Sequence, residues 1–355
     1  MNLLIPCAGR SSRYSTAAPK YLLAMPDGRT MLEHAAERFV ASADRVVVGV
    51  LREHDERFGV ARLVGDFFPR AEVVVFNEVT SGQAETVAEM IARSEMTGPV
   101  LVKDSDSAFV PTAGYPGNAN AVSVCSARKV RGVRLDNKGF ARLNEQGHIV
   151  ATVEKQISSE WFSCGGYWFR EAGDYERAFR EHVRGGDGRE CYLTHVIDRM
   201  IGRGDPFVPV ECEAYEDWGT EAEWIAYRSR FGTYIMDIDG VLYENGRRHW
   251  APRWGESAPI PGAVEALRDL KGRGQHIVLM TSRPESFRDA TERQLRSDGV
   301  PFDQLVMGVL HGTRVVVNDY AASTPFPAAV AVNSKRNSGD WIGAIGRSMD
   351  AAEGS

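Results

Sequence analysis

The chain has 355 residues, of which 43% are hydrophobic and 25% are charged, and its formal net charge is −6. This length favours two domains, and the composition is ordinary for a globular protein. The negative charge argues against a general nucleic-acid or membrane-surface binder, so a polyanionic ligand must be held by local positive charge. None of the apolar runs approaches the roughly 20 residues of a membrane-spanning helix.

The five cysteines and eight histidines are scattered along the chain, without the spacing that is typical of a zinc site. An odd number of scattered cysteines fits reduced thiols better than a disulfide framework. The first apolar stretch is typical of a buried strand and not of a signal peptide. We therefore expect a cytoplasmic protein without a nucleic-acid or membrane partner. Its oligomeric state is left open, and a homo-oligomer is compatible with the sequence.

The first part of the chain alternates between strand and helix patterns. Continuous apolar runs predict buried strands at residues 3–6, 45–51, 72–76 and 99–103. Amphipathic patterns predict helices at residues 30–39 and 86–94. This alternation indicates an α/β domain with a mostly parallel sheet covered by helices on both faces. Residues 121–169 are rich in strand patterns and glycine turns, which predicts a mixed extension of the same sheet.

A second alternating unit begins at Tyr234, almost directly after a predicted helix at residues 220–230. It contains a helix pattern at residues 263–271 and strand patterns at 234–236, 277–280 and 314–317. We place the domain boundary near Phe231 and Gly232, which gives an N-terminal domain of residues 1–231 and a C-terminal domain of residues 232–355.

A turn of small and basic residues follows the first strand. It consists of Ala8, Gly9, Arg10, Ser11, Ser12 and Arg13. Small residues let backbone N–H groups approach a polyphosphate, and Arg13 and Lys20 add positive charge that would counter an anionic triphosphate. Taken alone, the turn is equally well explained as a basic surface loop.

Three further polar segments follow in order. Gln83 lies in a polar turn at a predicted helix start, where its amide is suited to reading a base. Asp104 and Asp106 follow a buried strand at i and i+2, on one side of the chain, which suits a hard cation such as Mg²⁺. Asp217 adds a carboxylate just before a helix, although a helix cap is an alternative role for it.

Because these segments occur together and in this order, residues 1 to about 225 resemble the sugar-nucleotidyltransferases of GT-A type. The matching motifs are the opening turn up to Arg13, Pro19-Lys20, Glu154-Lys155 and Gly165-Gly166-Tyr167. One departure is Ser11, where the family usually has a second glycine. The resemblance implies an Mg²⁺-dependent transfer from a nucleoside triphosphate to a phosphorylated sugar, polyol or small alcohol, with release of pyrophosphate.

The same resemblance implies roles for individual residues. Arg13 and Lys20 are the expected catalytic cations, and the turn from Ala8 to Ser12, with Gln83, is the expected nucleotide site. Metal ligands and acceptor-binding residues follow from the matched positions: Asp104, Asp106 and Asp217 for the metal, and Glu154, Lys155 and Gly166 for the acceptor. The opening and the turn around Gln83 look most like cytidylyltransferases, so CTP is mildly preferred, while UTP, dTTP and GTP remain open.

The C-terminal unit places polar residues after three predicted strands. Asp237 and Asp239 end the first, Thr281 and Ser282 end the second, and Asp319 follows the third. Because parallel sheets bind ligands at the carboxyl ends of their strands, these residues predict one site. Two such aspartates can divide nucleophilic attack and proton transfer between them. An isolated Asp-x-Asp would be better explained as a turn or a calcium-like loop.

Residues from about 233 to 345 resemble the haloacid dehalogenase (HAD) phosphatases, with a Rossmann-like fold. The resemblance implies that Asp237 is the nucleophile and Asp239 the general acid and base. Thr281 and Ser282 are then phosphate-binding, and Arg314 is the nearest candidate for the phosphate-stabilising lysine of the family. Asp319 is the expected metal ligand together with Asp237 and Asp239. The short stretch between Asp239 and Thr281 leaves no room for a large cap.

The favoured hypothesis is a bifunctional enzyme, a nucleotidyltransferase joined to a phosphatase, which the resemblance connects with surface polysaccharide or glycoconjugate precursors. A GT-A glycosyltransferase that uses a nucleotide sugar is an alternative, although Arg13 and Pro19-Lys20 argue against it. A nucleotide-binding regulatory protein with one inactive domain is a third interpretation. Release of pyrophosphate or of a free nucleoside diphosphate would separate the first two.

Overall fold

The computed structural model describes residues 1–15, 18–130, 133–185, 191–245, 254–318 and 329–345. Residue contacts divide the chain into two compact units, Met1–Trp224 and Ile225–Ser355. This division falls inside a helix, a few residues before the predicted boundary. Across the described ranges, no helix combines the length and the apolar character needed to cross a bilayer.

The first unit alternates strands and helices up to its middle and is then mainly composed of strands. Its strands are β1 (Asn2–Cys7), β2 (Arg45–Leu51), β3 (Ala71–Phe76), β4 (Val100–Lys103), β5 (Ser107–Pro111), β6 (Asn120–Ser126), β7 (Gly139–Leu143), β8 (Ile149–Glu154), β9 (Trp161–Phe169) and β10 (Phe207–Asp217). Its helices are α1 (Met31–Val40), α2 (Arg52–Phe58), α3 (Val60–Phe67), α4 (Gln83–Arg93), α5 (Ala172–Gly185), α6 (Leu193–Gly202) and α7 (Glu221–Ser229), the last of which crosses into the second unit.

These strands form a ten-stranded sheet within the described residues, in the order β3-β2-β1-β4-β9-β6-β10-β5, with β7 paired to β8 and β9. The strands β3, β2, β1 and β4 are parallel, whereas β9 runs antiparallel to both β4 and β6. The sheet is therefore mixed, as the strand-rich pattern of residues 121–169 predicts.

Helices cover both faces of this sheet because successive strand side chains point to opposite sides. In β1, Leu4 packs into one core cluster, with α4 and α6, whereas Leu3 and Ile5 pack into the other, with α1 and α3. The continuous apolar pattern of β1 is thus explained by burial on both sides, and the predicted α/β architecture is confirmed.

The second unit contains a smaller parallel sheet. Its strands are β11 (Thr233–Asp237), β12 (His276–Met280) and β13 (Gln304–Val306), in that order across the sheet, and its helices are α8 (Ala263–Gly272) and α9 (Arg288–Ser297). Buried residues of β11, β12, α8 and α9 form one core. Between β11 and β12 the described residues hold the single helix α8, in agreement with the predicted absence of a large cap.

The prediction of a strand at residues 314–317 is wrong. This segment is irregular, and its side chains Val315 and Val317 are 80% and 90% exposed. The position beside β12 is occupied instead by β13, in which Leu305 pairs with Leu279. Three consecutive valines are a local signal of strand propensity, but they do not specify a partner strand.

Candidate active sites

A cavity of about 460 Å³ opens where β1 and β4 end. Because these two strands are parallel neighbours, the turn that follows Cys7 and the segment that follows Lys103 meet at the same edge of the sheet. The cavity collects nearly all of the residues predicted for the N-terminal site. They are Ala8, Gly9, Arg10, Ser11, Ser12, Arg13, Lys20, Gln83, Asp104, Asp106, Glu154, Lys155 and Asp217.

The turn after β1 depends on Ser11. Its backbone has a φ of +53°, in the left-handed region that favours glycine. Its Oγ accepts a hydrogen bond of 3.0 Å from the backbone N–H of Lys20. Ser11 thus adopts a conformation that favours glycine and also ties the turn to Lys20.

Lys20 forms an ion pair with Asp106, and both side chains are largely buried. Burial by itself raises the pKa of Asp106, but the charge and hydrogen bond of Lys20, with smaller contributions from other lysines, hold it well below its usual range. Arg10 and Arg13 lie exposed at the rim, and neither has an ion-pair partner among the described residues. Positive charge at the rim is thus available to an anionic ligand.

Asp217 pairs with Lys138, a residue that the sequence analysis missed. The Lys138 Nζ lies 2.5 Å from Asp217 Oδ2, and both side chains are nearly buried. Asp217 Oδ2 is thereby held in close contact with the Lys138 ammonium group. Burial raises the pKa of Asp217, although Lys138 opposes this. Lys138 lies beside a short 3-10 turn, and no local pattern distinguishes it from a surface lysine.

Asp104 is oriented differently from the other two acids. Its Oδ1 accepts a hydrogen bond from Gln83 Nε2. Burial, with the charge of Asp106, raises the pKa of Asp104 to about 6. The neighbouring Lys103 is fully buried, and its Nζ donates to the backbone oxygens of Asp104 and Ser107. Burial lowers the pKa of Lys103 to about 8.

The predicted acceptor residues meet at another part of the cavity. Lys155, with a φ of +53°, donates through Nζ to the Tyr192 hydroxyl at 2.5 Å and lies 4.4 Å from the centre of that ring. Glu154 accepts a hydrogen bond of 3.0 Å from Thr194 Oγ1. Tyr192 and Thr194 come from the start of α6, far away in sequence, so local patterns could not identify them.

Gly166 is an exception and needs a correction, because it does not line the cavity. It lies within β9, where a Cβ atom would come within 2.5 Å of Ser123 Oγ and 2.6 Å of Phe109 Cζ. The glycine at this position is therefore explained by close packing inside the sheet.

Outside the residues that line the cavity, the described part of the chain contains one group of three potential metal ligands. His182, Cys191 and His195 place one ligand atom each within 4.8 Å of one another, although their spacing in the sequence does not suggest a site. Nδ1 of His195 accepts a hydrogen bond of 3.3 Å from the backbone N–H of Tyr192, and burial raises the pKa of Cys191 to about 11. Cys191 and His195 lie at the start of α6, whereas His182 comes from α5 and stacks on the His195 ring at 5.6 Å between ring centres.

In the second unit, Asp237 ends β11 with its carboxylate partly exposed. Its Oδ1 accepts hydrogen bonds from the backbone N–H of Ile238 at 2.9 Å and from Arg314 Nη2 at 3.1 Å. Arg314 thus reaches the predicted nucleophile although its segment is not a strand. Asp319, the predicted metal ligand, lies outside the described residues.

Asp239 is held by Arg283, a second residue that the sequence analysis missed. Arg283 Nε and Nη2 donate to the two carboxylate oxygens at 2.9 and 2.8 Å. Thr281 is fully buried, and its hydroxyl lies 3.4 Å from Asp239 Oδ2. Ser282 is half-buried, and its hydroxyl has no hydrogen-bond partner among the described residues. Of the two hydroxyls predicted to bind phosphate, that of Ser282 is the more accessible to a phosphate group.

Family comparisons assign each unit. The family described as MobA-like NTP transferase domain matches residues 3–124, and the family described as haloacid dehalogenase-like hydrolase matches residues 234–338. The chain therefore joins a MobA-like NTP transferase domain to a haloacid dehalogenase-like hydrolase domain. The resemblances inferred from the motifs around Lys20 and Asp237 are confirmed.

Solved structures similar to the transferase domain are nucleotidyltransferases. The nucleoside-diphosphate-sugar pyrophosphorylase of Vibrio cholerae RC9 is 24% identical, with a TM-score of 0.54, and the match covers 63% of this chain and 98% of that one. The inositol-1-phosphate CTP transferase of T. maritima is 13% identical, with a TM-score of 0.51, covering 62% of this chain and 90% of that one. At these identities the likeness establishes the fold.

The hydrolase domain is similar to a curated human protein, glycerol-3-phosphate phosphatase. The two are 32% identical over 108 residues, which are 29% of this chain and 30% of that protein. The chain thus spans about a third of the length of this relative. The 108 matched residues are close in number to the span 234–338 that the hydrolase family matches.

Both families typically use divalent metal ions, and the transferase domain offers a suitable place for one. Asp217 Oδ1 and Asp106 Oδ2 lie 3.3 and 3.6 Å from the point that a Cβ on Gly219 would occupy. Asp217 Oδ2, which pairs with Lys138, is a further carboxylate oxygen at this place. Among the described residues, Asp104, Asp106 and Asp217 do not each place a carboxylate oxygen within 4.8 Å of the other two. Asp106 and Asp217 therefore fit a hard cation better than Asp104 does.

Proposed function

We propose that this chain is a bifunctional enzyme. Its transferase domain moves a nucleotide from a nucleoside triphosphate, preferably CTP, to a phosphorylated sugar, polyol or small alcohol. Its hydrolase domain removes phosphate from a small phosphomonoester. The products serve as precursors of a surface polysaccharide or a related glycoconjugate.

The observation that carries the transferase proposal is the charge arrangement of its cavity. Lys20 and the exposed Arg13 line the cavity and supply positive charge. Asp106 and Asp217 provide oxygens for a cation, and Lys155 lies beside Tyr192. A nucleotidyl transfer brings an anionic phosphate to an anionic triphosphate, so positive charge must be placed at the reacting phosphorus before the reaction. A cavity that binds a neutral ligand has no need of this arrangement.

In the proposed transfer, an oxygen of the acceptor phosphate attacks the α-phosphorus of the nucleotide. The bond between the α-phosphorus and the oxygen bridging to the β-phosphorus breaks, and pyrophosphate leaves. Lys20 and Arg13 stabilise the charge on the α-phosphate and on pyrophosphate, while Lys155 orients the acceptor phosphate. A divalent cation such as Mg²⁺, held by Asp106 and Asp217, would neutralise phosphate charge.

The preference for CTP is supported by the environment of Gln83. One of its amide donors is used by Asp104, which favours the amide oxygen as the group that it offers to a base. The cytosine edge carries an exocyclic amino donor, whereas uracil and thymine carry an acceptor oxygen at that position. A Gln83 amide fixed in this orientation therefore suits cytosine.

In the proposed hydrolysis, a carboxylate oxygen of Asp237 attacks phosphorus and the ester bond to the leaving alcohol breaks. Asp239 supplies a proton to the leaving oxygen. Water then attacks the aspartyl-phosphate and transfers a proton to Asp239, which releases inorganic phosphate and restores both carboxyls. Because the matched relative is a glycerol-3-phosphate phosphatase, small polyol phosphates are the first substrates to test.

The transferase proposal is tested by pyrophosphate release with each nucleoside triphosphate, Mg²⁺ and a pool of phosphorylated sugars, polyols and amino alcohols. The Asp237→Asn variant is run beside the wild type, so that the phosphatase does not consume the acceptors. We expect pyrophosphate with CTP above all other nucleotides. Release of free nucleoside diphosphate from a nucleotide sugar, added in a parallel reaction, would instead indicate a glycosyltransferase. Tight nucleotide binding without turnover would indicate a regulatory domain.

The role of Gln83 is tested by Gln83→Met, which keeps the side-chain length and removes the amide. Losing one hydrogen bond to the base should lower the ratio of kcat/KM for CTP over UTP by about 3- to 10-fold. The exposed Gln146→Met, in the turn between β7 and β8, is the matched control. An unchanged ratio in Gln83→Met would show that the base is read by other groups.

A further inference from the structure

Arg283 is a completely buried arginine next to the proposed phosphatase site. Its side chain has 0% exposure, although arginine is rarely buried without a partner. Of the five N–H groups of a guanidinium, four donate hydrogen bonds inside this unit. A side chain that is satisfied in this way does not serve as a phosphate-binding arginine, which would need exposed donors.

One edge of the Arg283 guanidinium, formed by Nε and Nη2, binds the Asp239 carboxylate. Nε donates to Oδ2 at 2.9 Å and Nη2 to Oδ1 at 2.8 Å, which is a bidentate pair. Such a pair constrains the plane of the carboxylate as well as its position. The Thr281 hydroxyl also accepts a hydrogen bond of 3.1 Å from the backbone N–H of Arg283, so the loop after β12 is tied to the same carboxylate.

The remaining nitrogen of the guanidinium, Nη1, binds side chains of α9. Nη1 donates to Thr291 Oγ1 at 3.2 Å and to Gln294 Oε1 at 3.1 Å. Gln294 in turn donates through Nε2 to the backbone oxygen of Ser257 at 2.7 Å. Thr291 and Gln294 are both buried, so the guanidinium has little freedom to reorient. The orientation of Asp239 is thus coupled to a helix that does not contribute to the proposed chemistry.

We propose that Arg283 is the positioning residue of the phosphatase site, one that aligns Asp239 with the leaving oxygen of the substrate. This inference rests on the proposed phosphatase function and assigns Arg283 no contact with substrate. A lysine in its place carries the same charge but cannot form the bidentate pair. The geometry therefore makes proton delivery to the leaving group, and not substrate binding, the step that depends on Arg283.

The test compares two phosphate esters on the full-length enzyme. p-Nitrophenyl phosphate releases a stable anion that needs little protonation, whereas glycerol 3-phosphate releases an alkoxide that needs a proton. General acid catalysis contributes about 10²- to 10⁴-fold. For Arg283→Lys we expect kcat/KM to fall at least about 10²-fold for glycerol 3-phosphate and less than about 10-fold for p-nitrophenyl phosphate. Competitive inhibition by inorganic phosphate should be unchanged.

Arg283→Ala provides an independent readout, because added guanidinium can enter the space of the lost side chain. We expect it to restore activity towards glycerol 3-phosphate in this variant and to leave Arg283→Lys unaffected. The control is Arg288→Lys, which changes an arginine on α9 that pairs with Glu285 and Glu292 at the surface. This control should retain wild-type kinetics with both esters.

Equal losses with the two esters, or no loss, would overturn the positioning role while leaving the phosphatase proposal in place. A wild-type enzyme that hydrolyses neither ester would overturn both. If the Arg283 variants do not fold, as judged by circular dichroism, Thr291→Val and Gln294→Met each remove one acceptor of Arg283 Nη1 on α9. In these variants kcat/KM should again fall more for glycerol 3-phosphate than for p-nitrophenyl phosphate, although by a smaller factor than in Arg283→Lys. Equal losses with the two esters would contradict the inference.

Discussion

The charges of the transferase cavity are arranged as pairs between residues that are distant in sequence. Lys20 pairs with Asp106, and Lys138 pairs with Asp217. Each lysine opposes the rise in pKa that burial causes in its acid, and in Asp106 the pKa falls below its usual range. An unpaired carboxylate would be costly in such a buried place. The same lysines are available to phosphate groups when a cation binds the acids. Paired charges of this kind suit a site that exchanges one set of ionic partners for another.

Lys20→Ala is expected to lower the rate of nucleotidyl transfer about 10²-fold or more, because a charge that acts on the transition state is lost. The rate is measured as pyrophosphate release at saturating nucleotide. Lys129→Ala is the matched control, because this lysine is exposed and pairs with Glu211 outside the cavity. A rate near that of the wild type in Lys20→Ala would contradict the proposed role.

At the scale of elements, the cavity depends on a close contact between the start of α4 and the segment before α6. A Cβ on Gly82 would lie 2.5 Å from the backbone oxygen of Cys191 and 3.0 Å from its nitrogen. Tyr192, the next residue, carries the hydroxyl that binds Lys155. The missing side chain of Gly82 therefore lets α6 approach the cavity.

Gly82→Ala should destabilise the protein by about 1–3 kcal/mol, because backbone atoms must move to relieve the overlap. It should also weaken acceptor binding, since Tyr192 is displaced. Both effects are measurable, the first by denaturant unfolding and the second by the KM of the acceptor.

Gly65→Ala is the control, because this glycine lies inside α3 with no atom within 4 Å of its Cβ position. It should stabilise the protein by about 0.5–1 kcal/mol. Equal effects of the two substitutions would contradict the packing argument.

At the scale of the whole molecule, the chain contains two units with separate cores and separate candidate sites. The residues of the transferase cavity all precede Glu221, and those of the phosphatase site follow Thr233. Because no residue is shared, each activity can be removed by a substitution in its own unit.

Asp237→Asn is therefore expected to abolish phosphate release from glycerol 3-phosphate, because an amide is a poor nucleophile towards phosphorus. The same variant should retain the wild-type rate of pyrophosphate release. The two rates are measured on one preparation, and Asp269→Asn, on the exposed face of α8, is the control. A parallel loss of both activities would show that the units depend on each other.

About half of the helices and strands could be predicted individually, because their signals are local. The apolar residues of β1 and β2 and the Thr30–Glu33 capping box at the start of α1 are recognisable from a few adjacent residues. The error at residues 314–317 has the same origin, because a valine-rich run indicates a strand without indicating which strand it pairs with. Strand partners are decided by contacts between segments that are far apart in the chain.

The sequence by itself determined the order of the two domains, the motifs around Lys20 and Asp237, and the residue types that phosphate chemistry requires. These features depend on identity and spacing along the chain. Only the tertiary structure decided that Lys138 faces Asp217, that Tyr192 meets Lys155 and that Arg283 holds Asp239. Each of these pairs joins segments separated by tens of residues, and its energy comes from burial and geometry that exist only in the folded chain.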